Sequence, residues 1–515
     1  MRPIALLILF CLACSAQAAS HYVFSNPPGP HPVGVSVVQQ YDYARAPRPA
    51  IDSDTGLVRK GELARPVQTL VWYPAQAKGV TMRFGDYYRS AMTENDFSLD
   101  QVGVERAFQA ALAIDARALG KDHAQAELAR PMWARRDALP AAGKFPLVIY
   151  APGHNGSAHE NVELCEYLAS QGYVVMASPS IGARGVSMEI SLEGAETQAA
   201  DIGFLIGYAH SLPNVDMDRI AVAGYSWGGL ANVLAAARDQ RIRALVALDG
   251  SVRGFPEYVN GGKDAAKYAT AARVALPLLY LSAEPKTIEE MEGKYDMSFS
   301  FINAMKYADV YYMIMHPMQH AHFSTHTMHF EGDDAFADYT RAEVGQAHSW
   351  ATRYVLEFLN AYLKQDVQSK SFLGNAPAKN NVPAHMVSTD IRLAKASTPT
   401  VESFAVDLRT RGFDHAVELY QARKQAGAPL QMSEKDLNSW GYRLMRMGRP
   451  KDGLEIFKLM AHVYPDSGDA QDSLAEGYAT NGMKAEAIIH YRRSLALDPK
   501  NTNAEKELKA LGATP

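Results

Sequence analysis

Eight short apolar runs, rich in β-branched and aromatic residues, punctuate the chain between residues 33 and 315. They cover 33–38, 69–73, 145–150, 173–177, 220–223, 244–248, 278–282 and 310–315. From 145 onward they alternate with segments of helical periodicity: 160–170 follows the third run and 197–211 the fourth. This βαβ alternation predicts a mostly parallel sheet with helices on both faces. The run Leu245-Val246-Ala247-Leu248 has no polar alternation, as a strand buried on both faces requires. Tyr354, Phe358 and Tyr362 recur at four-residue spacing and predict a helix over 350–363 that packs on the sheet and ends the first domain.

Residues 79–143 interrupt the strand series. Helical periodicity covers 104–118 and part of 124–136, where Pro131 should break or kink it. This insertion reads as either a lid over the site or a surface embellishment. Residues 366–400 mix Ser, Asn, Pro and Lys without period and read as a linker. Helical repeats follow over 401–511. Gly448 and Gly482, Phe457 and Tyr491, and Pro465 and Pro499 each lie 34 residues apart. A 34-residue period with small, aromatic and proline positions in this order resembles tetratricopeptide repeats. Units 434–467 and 468–501 are clear, and 401–425 reads as a degenerate first unit. Stacked helix pairs present a concave face, so a protein partner is the expected use of this part.

The length of 515 residues implies more than one domain, and 47% hydrophobic with 21% charged residues is ordinary for globular proteins. A net charge of −5 without a long basic run argues against nucleic acid as a partner. Arg2, the apolar stretch 4–14 and Ala16-Gln17-Ala18 read as a secretory signal over 1–18, with the mature chain starting at Ala19 and a periplasmic or secreted location. Lipoprotein processing at Cys14 is the alternative. No later apolar run approaches the ~20 residues that a membrane span needs. Signal removal leaves Cys165 alone, read as core filler, so a large core rather than disulfides must hold the fold.

Gly224-Tyr225-Ser226-Trp227-Gly228 stands between the strand-like 218–223 and the helix-like 229–237. Strand, sharp turn and helix around G-x-S-x-G is the setting of a nucleophile elbow with Ser226 as nucleophile. A serine hydroxyl needs a base, an acid to orient that base, and amide donors for the oxyanion. In the α/β-hydrolase arrangement the order is Ser, acid, His, each after a strand. Asp249 follows the run 244–248 and is the first acid candidate; Glu284, after 278–282, is the alternative. After the last run comes His316-Pro317-Met318-Gln319-His320-Ala321-His322. His320 is the expected base and His322 its alternative. These histidines, with His326 and His329, could also suggest a metal site. No acidic or cysteine ligand joins them before Glu331, and a serine elbow needs no metal, so none is expected. The oxyanion donors are the N–H of Trp227 and that of His154 in the loop 151–156, with Asn155 as the alternative to His154.

The stretch Phe145–His154, the elbow Gly224–Gly229, Leu248-Asp249 and His320-Ala321-His322-Phe323 resemble the platelet-activating-factor acetylhydrolase and dienelactone-hydrolase-like branch of the α/β-hydrolases. The acid directly after the strand that follows the elbow helix, and the His-x-x-Phe after the last strand, are the signs of the acetylhydrolase side. The resemblance covers about residues 30–365. It implies an α/β-hydrolase fold within 19–365 and hydrolysis of a small carboxylic ester, short in its acyl chain, through an acyl-serine and without cofactor. Pro152-Gly153 stands where many relatives have His-Gly, and Ser226 replaces the cysteine of dienelactone hydrolases proper. Two other functions fit the same sequence: a serine peptidase or amidase on this fold, and an interaction protein that works through its repeats with an idle hydrolase domain.

Overall fold

Each of the eight apolar runs lies in one strand of a single sheet, and three further strands join it. The computed structural model describes residues 22–514 except 48, 52–54, 59–60, 186, 284–299, 397, 428–429 and 431. The expected signal segment with Cys14, and Glu284, lie outside the described residues. The strands are β1 (Val33–Asp42), β2 (Arg65–Pro74), β3 (Val80–Arg83), β4 (Pro131–Arg136), β5 (Phe145–Ala151), β6 (Val174–Ala177), β7 (Val215–Tyr225), β8 (Ile242–Leu248), β9 (Leu278–Ser282), β10 (Val310–Met315) and β11 (Val387–Arg392). Their order is β11-β10-β9-β8-β7-β5-β6-β2-β1-β4-β3. From β6 through β10 all neighbours are parallel. β1, β2 and β11 pair antiparallel at the flanks.

The longer helices of this unit are α1 (Phe84–Ser90), α2 (Gln101–Leu119), α3 (Lys121–Ala129), α4 (Val162–Ser170), α5 (Leu192–Ala209), α6 (Trp227–Arg238), α7 (Arg341–Leu363) and α8 (Val367–Gly374). Two apolar cores sandwich the sheet. Val148 and Tyr150 of β5 pack with α4 and α7 on one face. Leu147, Ile149 and Ala151 pack with α5 and α6 on the other. The period-two alternation of the strand thus divides apolar residues between two cores instead of between core and water.

Two expectations change. The stretch 131–136 is a strand, not the end of a broken helix: Pro131 takes its first position, where no ladder N–H is needed. The stretch 366–400 is not a bare linker, because α8 and the edge strand β11 lie within it. The chain divides into compact units after Leu393.

Nor is the insertion a loose flap. β3 and β4 extend the sheet beyond β1, and α3 reaches the core through Glu127. The Nδ1 of His329 lies 2.9 Å from Glu127 and its Nε2 lies 2.8 Å from Glu163 on α4. Arg130 donates to Glu163 at 2.6 Å. Burial alone would raise Glu163, but His329 and Arg130 outweigh it and hold that carboxyl well below the usual range.

Other buried carboxyls shift upward. Burial lifts Glu94 to about 8, against hydrogen bonds from the Ser157 hydroxyl and the Ala158 N–H. Burial likewise lifts Glu166 to about 7. The native chain therefore holds protons that the unfolded chain releases near pH 4.5. Their stabilisation is complete below that pH and is lost as pH rises through about 7 to 8. Glu94→Gln should accordingly raise the melting temperature at pH 9 more than at pH 6. Equal shifts at both pH values would contradict a neutral native carboxyl.

The second unit is all helical: α9 (Val401–Arg411), α10 (Ala416–Gln425), α11 (Glu434–Arg446), α12 (Pro450–Val463), α13 (Gly468–Thr480), α14 (Lys484–Leu497) and α15 (Thr502–Ala510). α11 and α13 start at 434 and 468, α12 and α14 at 450 and 484, a common 34-residue offset. Gly448 and Gly482 each lie in the turn within one hairpin, at φ 74° and 78°, left-handed conformations that glycine adopts without steric cost. Gly441 and Gly477 lie against the Phe457 ring, where a Cβ would come within 2.3 and 2.9 Å of it. Among the described residues, no helix is long and apolar enough to cross a membrane.

Candidate active site

The C-terminal ends of β5, β7, β8 and β10 lie on one edge of the sheet, where open α/β sheets bind their ligands. Ser226 ends β7 and starts α6 with φ 49° and ψ −117°. A non-glycine residue held there stores on the order of 1–3 kcal/mol of strain. The surrounding glycines make the bend feasible. A Cβ on Gly228 would lie 2.1 Å from the Ala151 carbonyl oxygen, one on Gly224 2.5 Å from the Gly228 carbonyl carbon, and one on Gly229 2.5 Å from Gly250 Cα. These are backbone contacts that cannot swing aside. Gly228→Ala should therefore cost roughly 3 kcal/mol or more, by overpacking. A thermal melt lowered by several degrees is expected; an unchanged melt would show that the elbow can relax.

The ring of His320 bridges Ser226 and Asp249. Its Nε2 lies 2.9 Å from Ser226 Oγ and its Nδ1 2.7 Å from Asp249 Oδ2. Asp249 follows β8 at φ 44° and accepts the Ala283 N–H through Oδ1 at 3.1 Å. Its N–H donates to the Leu281 carbonyl at 2.6 Å. The carboxylate is thus fixed at both ends and 15% exposed, while the imidazole is 52% exposed. A shielded acid orients a base that solvent and substrate can reach. The Tyr225 ring packs at 5.1 Å from that imidazole. This contact went unread in the sequence, although Tyr225 immediately precedes the nucleophile.

His322 does not reach Ser226. It is buried, its Nδ1 accepts the Gln319 N–H at 2.9 Å, and its Nε2–H donates to the Ala335 carbonyl at 3.1 Å. Its ring stacks on Phe336 at 4.9 Å. The other histidines are spoken for elsewhere: His316 by Ser388, His326 by Asp115, and His329 by Glu127 and Glu163. Among the described residues, no group of three or more His, Cys, Asp or Glu is set to hold a metal ion.

The Trp227 N–H occupies the first helical position of α6, where no intrahelical acceptor exists. In the facing loop, the Gly153 N–H donates to Glu160 at 3.0 Å and the Gly156 N–H to the Gly153 carbonyl at 2.9 Å. The N–H groups of His154 and Asn155 remain between them. Asn155 holds φ 57°, and its side-chain oxygen accepts the Met188 N–H at 2.6 Å. The His154 ring contacts the Met188 carbonyl at 2.7 Å. Serine, imidazole, carboxylate and candidate oxyanion donors thus meet on one sheet edge, an arrangement able to carry out acyl transfer.

Residues 136–363 match the model of the dienelactone hydrolase family. The alpha/beta hydrolase gkaG of Penicillium citrinum is 33% identical over 114 residues, which are 21% of this chain and 26% of that protein. The hydrolase LUC6 of Fusarium sp is 29% identical over 137 residues, 23% of this chain and 32% of that one. The chain therefore spans about a quarter to a third of the length of these curated relatives. Among solved structures, a ferulic acid esterase from Streptomyces cinnamoneus aligns at 17% identity and a TM-score of 0.48, over 71% of this chain and 98% of that one. The matched segment runs from the end of β4 to the end of α7 and holds Ser226, Asp249 and His320. The unit that carries Ser226 has an α/β-hydrolase-type fold.

Proposed function

We propose that this protein is a serine hydrolase that cleaves small carboxylic esters. One observation carries the reading: the unbroken chain from Ser226 Oγ through His320 to Asp249, with contacts of 2.9 and 2.7 Å. Ser226 Oγ attacks the ester carbonyl as His320 Nε2 takes its proton. Asp249 keeps the Nδ1 proton in place and stabilises the imidazolium. The N–H groups of Trp227 and His154 receive the charge that grows on the carbonyl oxygen. The imidazolium protonates the departing alcohol, leaving an acyl-serine that a water molecule, activated by His320, then hydrolyses.

The finer reading places the enzyme near the platelet-activating-factor acetylhydrolases, with a preference for short acyl chains. Asp249 supports it by lying directly after the strand that follows the elbow helix. Export through the segment 1–18 and a tetratricopeptide-type partner surface in 401–511 belong to the same proposal.

The test uses nitrophenyl esters of rising acyl length and a fluorophosphonate probe. Nitrophenyl acetate should turn over faster than longer esters and faster than a peptide amide, and the probe should modify Ser226. Preference for the amide would favour the peptidase reading. An unlabelled, inert domain would favour the interaction protein.

A further inference from the structure

The loop after β5 contains one peptide that is gripped from both ends. Its carbonyl, that of Pro152, accepts a hydrogen bond from Gln198 Nε2 at 2.8 Å; its N–H, that of Gly153, donates to Glu160 Oε2 at 3.0 Å. Gln198 is a buried residue of α5, and Glu160 lies just before α4, so the two grips come from elements on opposite faces of the sheet.

We propose that Glu160 and Gln198 are positioning residues that pin the Pro152–Gly153 peptide and thereby aim the His154 N–H at the developing oxyanion. The next peptide has its carbonyl, that of Gly153, engaged by the Gly156 N–H at 2.9 Å. Its own N–H, that of His154, thus takes its direction from the plane before it. A flipped Pro152–Gly153 plane would turn a carbonyl oxygen toward the Glu160 carboxyl and an N–H toward the Gln198 amide N–H. With Glu160 ionised and the Gln198 amide held as it stands, neither new pairing is a hydrogen bond, and the flip forfeits both existing ones. Space opposes the flip as well: a Cβ on Gly153 would lie 2.9 Å from the Tyr225 ring, and one on Gly228 2.8 Å from the Pro152 oxygen.

Glu160 also reaches the other half of the site. Its backbone carbonyl accepts the Thr325 N–H at 3.2 Å and the Thr325 hydroxyl at 3.1 Å. The Tyr150 hydroxyl donates to Glu160 Oε2 at 3.1 Å and accepts from Asn161 Nδ2 at 3.2 Å. Asn161 Nδ2 donates in turn to the Phe323 carbonyl at 2.7 Å. The turn His320–Phe323 and the loop 152–156 are therefore held by neighbouring residues of one short segment.

The inference rests on the esterase reading and is tested on the full chain with nitrophenyl acetate. Glu160→Ala and Gln198→Leu should each lower kcat about 10- to 100-fold, somewhat less than the loss of an oxyanion donor outright. KM should stay within about threefold, because substrate binds before the oxyanion forms. Glu160→Gln keeps one acceptor oxygen and should recover most of the loss. The double variant should fall no more than about threefold below the weaker single, since both changes free one peptide. Melting temperatures identify any variant that fails to fold, in which case Gln198→Leu carries the test. A loss seen in KM instead of kcat, full additivity, Glu160→Gln as inactive as Glu160→Ala, or kcat within threefold of the parent would each overturn the proposal. Ser226→Ala is measured alongside: if it stays active, the esterase reading itself fails, whereas an inactive Ser226→Ala beside unimpaired Glu160 and Gln198 variants rejects this inference alone.

Discussion

Ser226→Ala should lower kcat for ester hydrolysis by at least 10⁴-fold, on the order of what loss of the nucleophile costs serine hydrolases. In the proposed mechanism Ser226 Oγ is the atom that becomes covalently acylated, and no neighbouring side chain in the hydrogen-bonded chain can replace it. His320 would keep its 2.7 Å contact with Asp249 through Nδ1, and its Nε2 would have nothing to deprotonate but water. KM should change little, because the alanine removes only one oxygen. Removing Oγ also leaves the elbow backbone at φ 49°, so the fold should persist. A melting curve that matches the parent, combined with full activity, would remove the basis of the proposed mechanism.

The second large effect is expected at Asp249. Asp249 Oδ2 accepts the proton on His320 Nδ1, which leaves Nε2 unprotonated and able to take the Ser226 proton. Asn at this position presents an N–H₂ and favours the opposite tautomer, with the proton on Nε2 and facing Ser226. The base is then occupied before reaction begins. Asp249→Asn should therefore reduce kcat on the order of 10⁴-fold while barely changing side-chain volume. Partial recovery above pH 9, as hydroxide supplements the base, would fit the same cause. Glu284→Gln should cost far less. The reverse ranking of the two variants would transfer the acid role to Glu284.

Much of this architecture was legible because its signals are local. Each central strand is a short run with apolar residues on both faces, bounded by turns, and each is found where the pattern placed it. The glycines of the elbow are equally local: three close backbone approaches within six residues leave a compact signature. β3, β4 and β11 escaped notice because they are short, half-exposed strands near the two ends of the sheet whose stability comes from pairing with distant neighbours. Pro131 stops the helix as expected, but the strand that it opens went unread, since nothing in the local pattern marks it. Two histidines lay within reach of Ser226 by spacing alone. What separates them is the turn His320–Phe323, which sends one ring to the sheet edge and commits the other to Gln319 and Ala335. Gln198 and Glu160 carry no motif at all. Their contacts with the loop cross 46 and 7 residues of chain and depend on helix placement that no window reveals.

The contact between Glu127 and His329 limits how this protein can be re-engineered. The stretch that joins β3 to β4 looks dispensable on paper, a decoration to excise when miniaturising the catalyst. Excision would strip two charged partners from a desolvated cluster and strand Glu163 and His329 in an oily cavity, at a cost of about 3–5 kcal/mol for a broken buried pair. Marginal native stability leaves little reserve for that. Minimised versions should therefore keep this stretch, or replace the whole ionic cluster with shape-matched hydrocarbon in the same step.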